Sequence, residues 1–278
     1  MAPLALRVRG LGYRYPNGLE ALGGVDLEVA GGERVAVLGP NGAGKTTFML
    51  HLNGLLQGDG YLEVAGLPVA PPTLPELRAR VGLVFQDPDD QLFMPTVGED
   101  VAFGPLNLRL GAAEVAARVD EALAAVRMTG TAGRAPHELS MGERRRVAIA
   151  GVLAMRPELL VLDEPSANLD PRGRRELVAL LSCIPCTMLV VTHDLPLAAE
   201  VCERAVVMSH GRLVADRACC ELLRDEALLA AHDLELPAGF DLSRVRLRVP
   251  SDRLPHPPAA AELPRHRGVP SRGAVATV

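Results

Sequence analysis

Lysine is almost absent from this chain of 278 residues: of its 29 basic residues, 28 are arginine and one, Lys45, is lysine. Tryptophan is absent and aromatic residues make up 3% of the sequence, whereas apolar residues make up 48%. The core must therefore be built from alanine, valine and leucine rather than from large rings. The length is enough for one large α/β domain with appendages or for two small domains, and it excludes a small disulfide-stapled protein and a fibrous chain.

Long uncharged segments are also lacking. The longest stretch without a charged residue or histidine is Leu177–Thr192, which has 16 residues and includes Ser182 and Pro185. A helix that crosses a membrane needs about 20 apolar residues, so no spanning segment is predicted. Met1–Arg9 lacks the basic start, apolar run and small-residue cleavage site of a signal peptide. We therefore expect a protein of the cytoplasm.

The charges and the cysteines exclude further classes. The 29 basic residues face 34 acidic ones, so the formal net charge is −5. This balance gives no field that would hold the phosphates of a nucleic acid, and no nucleic-acid partner is expected. The five cysteines lack the spacing of a disulfide framework, and reduced thiols are expected. Cys183 and Cys186 have redox C-x-x-C spacing but precede a predicted core strand, so we interpret them as structural.

Apolar runs alternate with helical patterns along most of the chain. Leu4–Arg9 and Val25–Val29 alternate in polarity, as strands with one solvent-exposed face do. Continuous apolar runs, typical of strands buried on both faces, occur at Arg34–Leu38, Val81–Phe85, Leu159–Leu162, Met188–Thr192 and Ala205–Met208. The alternation predicts an α/β fold, in which helices cover a parallel sheet and the N-terminal strands form a small antiparallel sheet.

A glycine-rich loop follows the first continuous apolar run and precedes a helix predicted from Thr46 to about Leu56. The loop matches the pattern G-x-x-x-x-G-K-[ST] with Gly39, Pro40, Asn41, Gly42, Ala43, Gly44, Lys45, Thr46 and Thr47. Glycines let backbone N–H groups surround a phosphate, and the helix N-terminus adds the positive end of its dipole. Lys45 would bind the β- and γ-phosphates of a nucleotide, and the Thr46 hydroxyl would ligate Mg²⁺.

The loop also gives the single lysine a reason. A guanidinium is a wide planar fork, whereas a phosphate cradle needs a compact ammonium on a slim stem. A chain that uses arginine at its other basic positions and lysine here behaves as if the difference matters at Lys45.

Two acids end another apolar run, because Leu159–Leu162 leads directly into Asp163 and Glu164. Acids at the carboxyl end of a parallel strand lie at the edge of the sheet where ligands bind. We therefore expect Asp163 beside the Mg²⁺ ion and Glu164 where it can orient or deprotonate an attacking water. Taken alone, the run is also compatible with a strand that ends in a solvated acidic turn.

Further motifs stand in a fixed order around the loop and the acids. They are Tyr15, Gln86 in Val84–Asp87, the segment His137–Glu143, Ser166–Asp170, and His193 in Val191–Asp194. With these motifs the chain resembles the ATP-binding cassette (ABC) family, whose signature reads L-S-G-G-Q, from about Leu4 to Leu236. The resemblance implies a P-loop NTPase fold with a RecA-like parallel-sheet core, an N-terminal antiparallel β-subdomain and an inserted helical subdomain.

Domain bounds follow from the resemblance and from composition. An ATP-binding domain is expected at 1–237, with the helical subdomain at about 87–150. The remainder, 238–278, would be an extension and a proline-rich tail. Val249–Val278 carries six prolines and no periodicity, which is typical of a disordered segment.

Several segments narrow the resemblance within the family. Phe85–Phe93 and Val97–Pro105 look like the ATPases of energy-coupling-factor (ECF) importers, and Arg145–Met155 and Leu228–Pro237 are most similar to the cobalt/nickel branch. The resemblance implies an ATPase that couples hydrolysis to transport, with ATP and Mg²⁺ as cofactors. A vitamin or another micronutrient is the alternative cargo.

The resemblance also implies partners and a location. Two copies, or one copy and a paralogous ATPase, would form a dimer with ATP between the loop of one subunit and the signature of the other. The dimer would serve a transmembrane coupling subunit and a substrate-binding membrane subunit from the cytoplasmic face of the membrane, and motion would pass through Gln86–Leu110.

Each motif carries an implied role. Tyr15 would stack on adenine, Gln86 would sense Mg²⁺ and water, Asp163 and Thr46 would hold Mg²⁺, Glu164 would be the base, and His193 would hold the γ-phosphate. Across the interface, Ser140 and the N–H of Gly142 would contact the γ-phosphate, and Asp170 would brace the partner's loop.

Three positions depart from the family pattern, and other interpretations stay open. Met141 replaces the first signature glycine, Glu143 replaces the glutamine, and Asn168 stands where glycine is common. A side chain at Met141 is tolerable only if the backbone there needs neither positive φ nor the closest approach to ATP, whereas asparagine tolerates the left-handed region. One alternative is therefore a slow or regulatory nucleotide binder. Another is a non-transport cassette acting on ribosomes or DNA, which the single cassette and the net charge disfavour. Arg144–Arg146 are expected to be solvated or to face an interface.

Overall fold

The structure is a computed structural model that describes residues 3–245. The predicted disorder of Val249–Val278 therefore lies outside the described residues. Among residues 3–245, no helix is both long enough and apolar enough to cross a membrane.

Four strands form an antiparallel sheet near the N-terminus. Their bounds are Leu4–Arg14 (β1), Glu20–Ala30 (β2), Asp59–Val64 (β4) and Leu67–Pro68 (β5). Across this sheet the strands follow the order β2, β1, β4, β5, and each neighbouring pair is antiparallel. The predicted antiparallel β-subdomain is confirmed.

Six strands form the second sheet. Their bounds are Arg34–Leu38 (β3), Val81–Val84 (β6), Leu159–Asp163 (β7), Thr187–Thr192 (β8), Arg204–Ser209 (β9) and Arg212–Ala218 (β10). Across the sheet they follow the order β10, β9, β3, β8, β7, β6. The five strands from β9 to β6 are parallel, and β10 joins β9 antiparallel at one edge.

Nine α-helices lie between or after the strands in the part of the chain that the structure describes. Their bounds are Lys45–His51 (α1), Leu74–Arg80 (α2), Val97–Asn107 (α3), Ala112–Ala125 (α4), Met141–Leu153 (α5), Pro171–Cys183 (α6), Leu195–Val201 (α7), Cys219–Leu222 (α8) and Glu226–Ala231 (α9). Helices α3, α4 and α5 pack on one another and lie between β6 and β7 in the chain. They occupy the stretch where the sequence predicts an inserted helical subdomain.

Both faces of the five parallel strands of this sheet are buried. Ala36 and Leu38 of β3 belong to a core shared with helices α4 to α7, whereas Val35 and Val37 belong to a second core shared with α1 and the antiparallel sheet. Because successive residues of a strand point to opposite faces, a strand covered on both sides has an apolar residue at every position. This explains the continuous apolar runs of the sequence.

The predicted C-terminal end of the helix after the glycine-rich loop is wrong. The sequence predicted that this helix ends at about Leu56, but α1 ends at His51. Gly54 has φ +68°, a left-handed conformation that no α-helix continues through, and it gives the chain a turn toward β4. A Cβ on Gly54 would lie 2.2 Å from Leu74 Cδ2, so the turn is packed closely against α2.

Three strand ends meet at one edge of the parallel sheet. Strand β8 pairs with β3 on one side and with β7 on the other, all in the same direction. The glycine-rich loop follows β3, Asp163 ends β7, and His193 follows β8. The fold therefore brings together three motifs that are far apart in the sequence.

Candidate nucleotide-binding site

The glycine-rich loop connects β3 to α1 and approaches β2 closely. Gly44 precedes α1 with φ 100°. A Cβ at this position would lie 2.5 Å from the carbonyl oxygen of Ala21. A side chain would both strain the backbone and collide with β2, so this turn requires glycine.

The Lys45 side chain is buried, with 6% of its surface exposed. Its Nζ donates to the carbonyl oxygens of Gly39 at 2.7 Å and Pro40 at 3.0 Å, and it lies 4.0 Å from Glu164 Oε1. Burial lowers the pKa of Lys45, while the charges of Glu164 and Asp163 act in the opposite direction. The ammonium is therefore held by its own loop beside a helix N-terminus, where an anionic ligand is favoured.

Thr46 and Asp163 form a pair of oxygen donors beside the loop. The Thr46 hydroxyl donates to Asp163 Oδ2 at 3.1 Å. Burial raises the pKa of Asp163, although the hydrogen bond from Thr46 lowers it. Hydroxyl and carboxylate oxygens are ligands that Mg²⁺ prefers, and a bound cation would offset the cost of burying the carboxylate. The residues present fit the Mg²⁺ ion that the sequence predicts.

Glu164 is fixed by the end of β8. Its Oε2 accepts a hydrogen bond from Thr192 Oγ1 at 2.9 Å, and its Oε1 accepts one from the His193 backbone N–H at 3.1 Å. His193 Nδ1 lies 2.8 Å from the same Oε1. Glu164 also has φ 42°, a left-handed conformation that is costly for a residue with a side chain. Such strain is concentrated at functional sites, because the surrounding structure must maintain it.

Tyr15 contacts the C-terminal part of the loop. Its hydroxyl lies 3.0 Å from Thr47 Oγ1. Its ring meets that of Tyr13 edge-on, with 5.0 Å between the centroids. Tyr15 is partly exposed, as a ring that stacks on a base must be.

Ser140, Gly142 and Asp170 do not join this cluster. Ser140 caps the N-terminus of α5, and Gly142 is the second residue of that helix. Asp170 caps α6 and accepts a hydrogen bond from the Gly173 N–H at 2.6 Å. Both capping residues are exposed, and no hydrogen bond or ion pair within residues 3–245 connects them with Lys45.

Gln86 follows β6 and is exposed. Its side chain makes no hydrogen bond in the part of the chain that the structure describes. Gln86 therefore lies just beyond the carboxyl end of β6, and its side chain has no hydrogen-bond partner among the described residues.

The three residues that depart from the family pattern have backbone conformations that suit their side chains. Met141 is the first residue of α5 and has a helical rather than a left-handed conformation, so the part of the condition that concerns φ is met. Asn168 has φ 61°, which confirms that it occupies the left-handed region. Glu143 forms a capping box with Ser140: its Oε2 accepts from the Ser140 N–H at 2.8 Å and from the hydroxyl at 2.7 Å. These hydrogen bonds lower the pKa of Glu143.

The expectation that Arg144–Arg146 are solvated or face an interface is wrong for Arg145. The three side chains do point in different directions, and Arg144 and Arg146 pair with Asp89 and Glu176. Arg145, however, is buried, because both ends of its guanidinium bind backbone carbonyls. A spacing signal was available: positions 145, 149 and 152 share one helix face, and the other two carry Ile149 and Val152.

Sequence reasoning also missed Thr192, the last residue of β8. The Thr192 hydroxyl is fully buried and donates to Glu164. The available signal was a hydroxyl that ends an apolar run directly before His193.

Comparison with known proteins shows the family to which the chain belongs. A sequence profile of the ABC transporter family matches residues 22–167, which is more than half of the chain. A Streptomyces coelicolor protein described as an ABC transporter ATP-binding protein is 59% identical over 88% of this chain and 95% of its own length. The cobalt import ATP-binding protein CbiO of Rhodobacter capsulatus is 46% identical over 96% of this chain and 95% of its own length.

A solved structure supports the fold. CbiO1 of Clostridium perfringens, described as part of the ABC transporter complex CbiONQ, superimposes with a TM-score of 0.74 and 37% identity. The superposition covers 84% of this chain and 96% of the Clostridium chain. With the profile match, the relatives and the fold in agreement, this chain belongs to the ABC transporter family and is an ATP-binding cassette ATPase.

Proposed function

We propose that this chain is the ATP-hydrolysing, energy-coupling subunit of an ECF-type importer for cobalt or nickel ions. The observation that carries the proposal is the likeness to the cobalt import protein of Rhodobacter capsulatus, which extends over nearly all of both chains. The motif segments Phe85–Phe93 and Val97–Pro105 support the ECF type. The proposed location is peripheral, on the cytoplasmic face of the cell membrane.

ATP is proposed to bind at the glycine-rich loop. The loop N–H groups and the ammonium of Lys45 would hold the phosphates, and the partly exposed ring of Tyr15 would stack on adenine. Thr46 and Asp163 would hold Mg²⁺, with Gln86 nearby. When bound, Mg²⁺ would neutralise charge on the phosphate oxygens.

Glu164 is the proposed general base. A base must be oriented toward the proton that it removes, and Thr192 and His193 hold this carboxylate from two sides. The His193 side chain is 60% exposed, so its Nε2 can face a ligand while Nδ1 contacts Glu164. With Nδ1 directed at Glu164, the ring would present its Nε2 edge to the γ-phosphate.

A dimer is proposed because the predicted site residues form two groups. Lys45, Asp163 and Glu164 meet at one edge of the sheet, whereas Ser140 and Asp170 are exposed and bond within their own helices. A twofold dimer would bring the exposed group of one subunit to the nucleotide of the other. Because this chain carries both groups, one sequence can supply both halves, although a paralogous ATPase could supply one of them.

The proposed docking site for the transmembrane coupling subunit is an apolar patch formed by Phe93, Phe103 and Leu106. Phe93 is 61% exposed and its ring meets that of Phe103 edge-on at 4.9 Å. Leu106 lies one turn further along α3 and is also exposed. Exposed apolar patches with polar surroundings mark sites of protein association. The patch lies within Gln86–Leu110, so a partner bound there would be linked to Gln86 and through it to the site.

Replacing the proposed base tests the hydrolytic part of the proposal. In Glu164→Gln the amide cannot accept the proton of water, so we expect phosphate release to fall by about a hundredfold or more. ATP binding should stay within about twofold, because Lys45 and the loop are unchanged. The control is Glu121→Gln, an exposed carboxylate paired with Arg156. Unchanged turnover in Glu164→Gln would remove Glu164 from this role.

Membrane co-purification tests the transport part. The full chain should be recovered with membranes together with a small transmembrane subunit, and Phe103→Asp should release it, because the charge would be buried at the proposed interface. Cells that carry the intact complex should take up Co²⁺ or Ni²⁺ in an ATP-dependent manner. Recovery with ribosomes or DNA would contradict the proposal, and uptake of a vitamin instead would correct the cargo.

A further inference from the structure

Arg145 is a buried cation to which the proposed mechanism of hydrolysis assigns no role. Its side chain is 1% exposed. Burying a guanidinium costs free energy unless its donors are satisfied, and its Nε has no hydrogen-bond partner among the described residues. Burial disfavours the charged form, while the charges of Asp87 and Asp163 favour it. Because burying this guanidinium lowers the stability of the fold, we look for a role of Arg145 other than stabilisation.

The two carbonyls that Arg145 binds belong to two motif segments. NH1 donates to the carbonyl oxygen of Phe85 at 3.1 Å, and Phe85 directly precedes Gln86. NH2 donates to the carbonyl oxygen of Ala167 at 3.3 Å, in the turn that leads to Asp170. Arg145 itself lies in the second turn of α5, the helix that Ser140 caps.

We propose that Arg145 is a positioning residue that couples the two nucleotide sites of the dimer. This inference rests on the proposed function, in which Gln86 serves the subunit's own site whereas Ser140 and Asp170 serve the partner's. A movement of the Gln86 segment would then be transmitted through one side chain to the residues that the subunit gives to the opposite site.

The guanidinium is suited to this role because its planar fork fixes the relative positions of NH1 and NH2. Phe85 and Ala167 are therefore held at a set separation, and neither segment can shift without the other or without α5. A lysine ammonium would keep the charge beside Asp87 and Asp163 but would lack the fork. Charge and bridging can thus be separated by substitution.

The test compares three variants of the full chain in ATP hydrolysis, with kcat, KM and the Hill coefficient as readouts. In Arg145→Met an unbranched apolar side chain replaces the stem of the arginine, the guanidinium is removed, and both hydrogen bonds are lost. We expect kcat to fall by about tenfold, equivalent to about 1.4 kcal/mol, with ATP affinity within about twofold. The Hill coefficient should fall to about 1, because coupling between the sites is lost.

Arg145→Lys separates the two explanations and serves if the methionine variant does not fold. It should also lower the Hill coefficient, because one ammonium does not reproduce the fork. Arg118→Met is the matched control: this partly buried arginine of α4 pairs with Glu114 and donates to the carbonyl of Ala154, away from the proposed site. It should leave kcat and the Hill coefficient unchanged.

Three results would overturn the inference: an unchanged Hill coefficient in Arg145→Met, full recovery of kcat and cooperativity in Arg145→Lys, or a natural protein that hydrolyses ATP with a Hill coefficient of 1. The last result would leave the proposed function standing, since hydrolysis and its loss in Glu164→Gln do not depend on Arg145.

Discussion

At the residue scale, Lys45 lies where an ammonium and a guanidinium are not interchangeable. Its Nζ is within hydrogen-bond distance of two carbonyl oxygens of its own loop, and the side chain is buried. An arginine side chain has two more heavy atoms than lysine, both in its terminal group, so its nitrogens could not occupy the same point without displacing the loop.

We therefore expect Lys45→Arg to weaken ATP binding by roughly tenfold to a hundredfold, the range for losing a hydrogen bond to a charged group. Calorimetric titration with ATP would measure the change. Arg14→Lys, an exchange of similar chemistry at an exposed ion pair with Glu20, should leave the affinity unchanged. If Lys45→Arg binds and hydrolyses ATP normally, the proposed requirement for lysine at this position is wrong, and codon usage alone explains the scarcity of lysine.

A site residue can be predicted from the sequence when a local pattern, such as an apolar run before it, marks its position in the fold. Lys45 and Asp163 were found because each follows an apolar run, and the ends of parallel strands meet at one edge. Arg145 was missed because an arginine in a run of three suggests a solvated surface. Its burial depends on two carbonyls from segments 60 and 22 residues away, and no local pattern shows that contact.

At the element scale, the packing of β6 on α5 depends on Gly82. A Cβ at this position would lie 2.1 Å from Val152 Cγ1 and 3.2 Å from Pro157 Cγ. The strand therefore packs directly against α5, the helix that Ser140 caps, and it ends next to the Gln86 segment.

Gly82→Ala should lower the free energy of unfolding by about 1–3 kcal/mol, the usual cost of overpacking a dense core. Urea denaturation would measure it. The double variant Gly82→Ala, Val152→Ala should recover part of the loss, because the shorter side chain makes room for the new methyl group. Gly133→Ala is the control, since a Cβ there meets nothing within 4 Å. Equal stability of Gly82→Ala and Gly133→Ala would contradict the packing argument.

The strands that the sequence predicted are those with an apolar pattern, which is continuous in strands buried on both faces and alternating in parts of β1 and β2. Strands β3, β7, β8 and β9 are nearly continuous apolar runs, whereas β4 and β10 are largely exposed and carry charged residues. An exposed strand needs few apolar residues, because backbone hydrogen bonds to its neighbours hold it in place. Its position is set by its partner strand, which local composition does not show.

At the scale of the whole molecule, the proposed dimer predicts association that depends on ATP. Glu164→Gln should bind ATP without hydrolysing it and shift from monomer to dimer, as measured by light scattering. Adding Ser140→Ala should weaken this association by about tenfold or more, because a hydroxyl contact to a charged phosphate is lost.

Ser140→Ala also removes a helix cap, which by itself costs about 1 kcal/mol of stability. Thr96→Ala is the matched control, because Thr96 and Glu99 form the same kind of capping box on α3. It should lose a similar stability and keep the ATP-dependent association. A molecular mass that ATP does not change, or equal association in the two capping variants, would contradict the dimer.

The overall architecture was predictable because motif order and strand burial are properties of one chain. The second half of each proposed nucleotide site was predicted only from the family resemblance, because it depends on a twofold axis that lies outside the subunit. Ser140 and Asp170 illustrate the difference: within one chain they are helix caps, and only a partner would make them ligands.

The single lysine also allows chemical labelling to report whether the phosphate loop is occupied. An amine-specific acylating reagent finds only one side chain to modify, and burial lowers the pKa of that amine, which enlarges its reactive, unprotonated share. Trypsin cleaves after lysine and arginine, so an acylated Lys45 would leave the peptide between Arg34 and Arg78 in one piece. The survival of that one peptide in a mass spectrum would record, molecule by molecule, whether the phosphate loop was empty when the reagent was added.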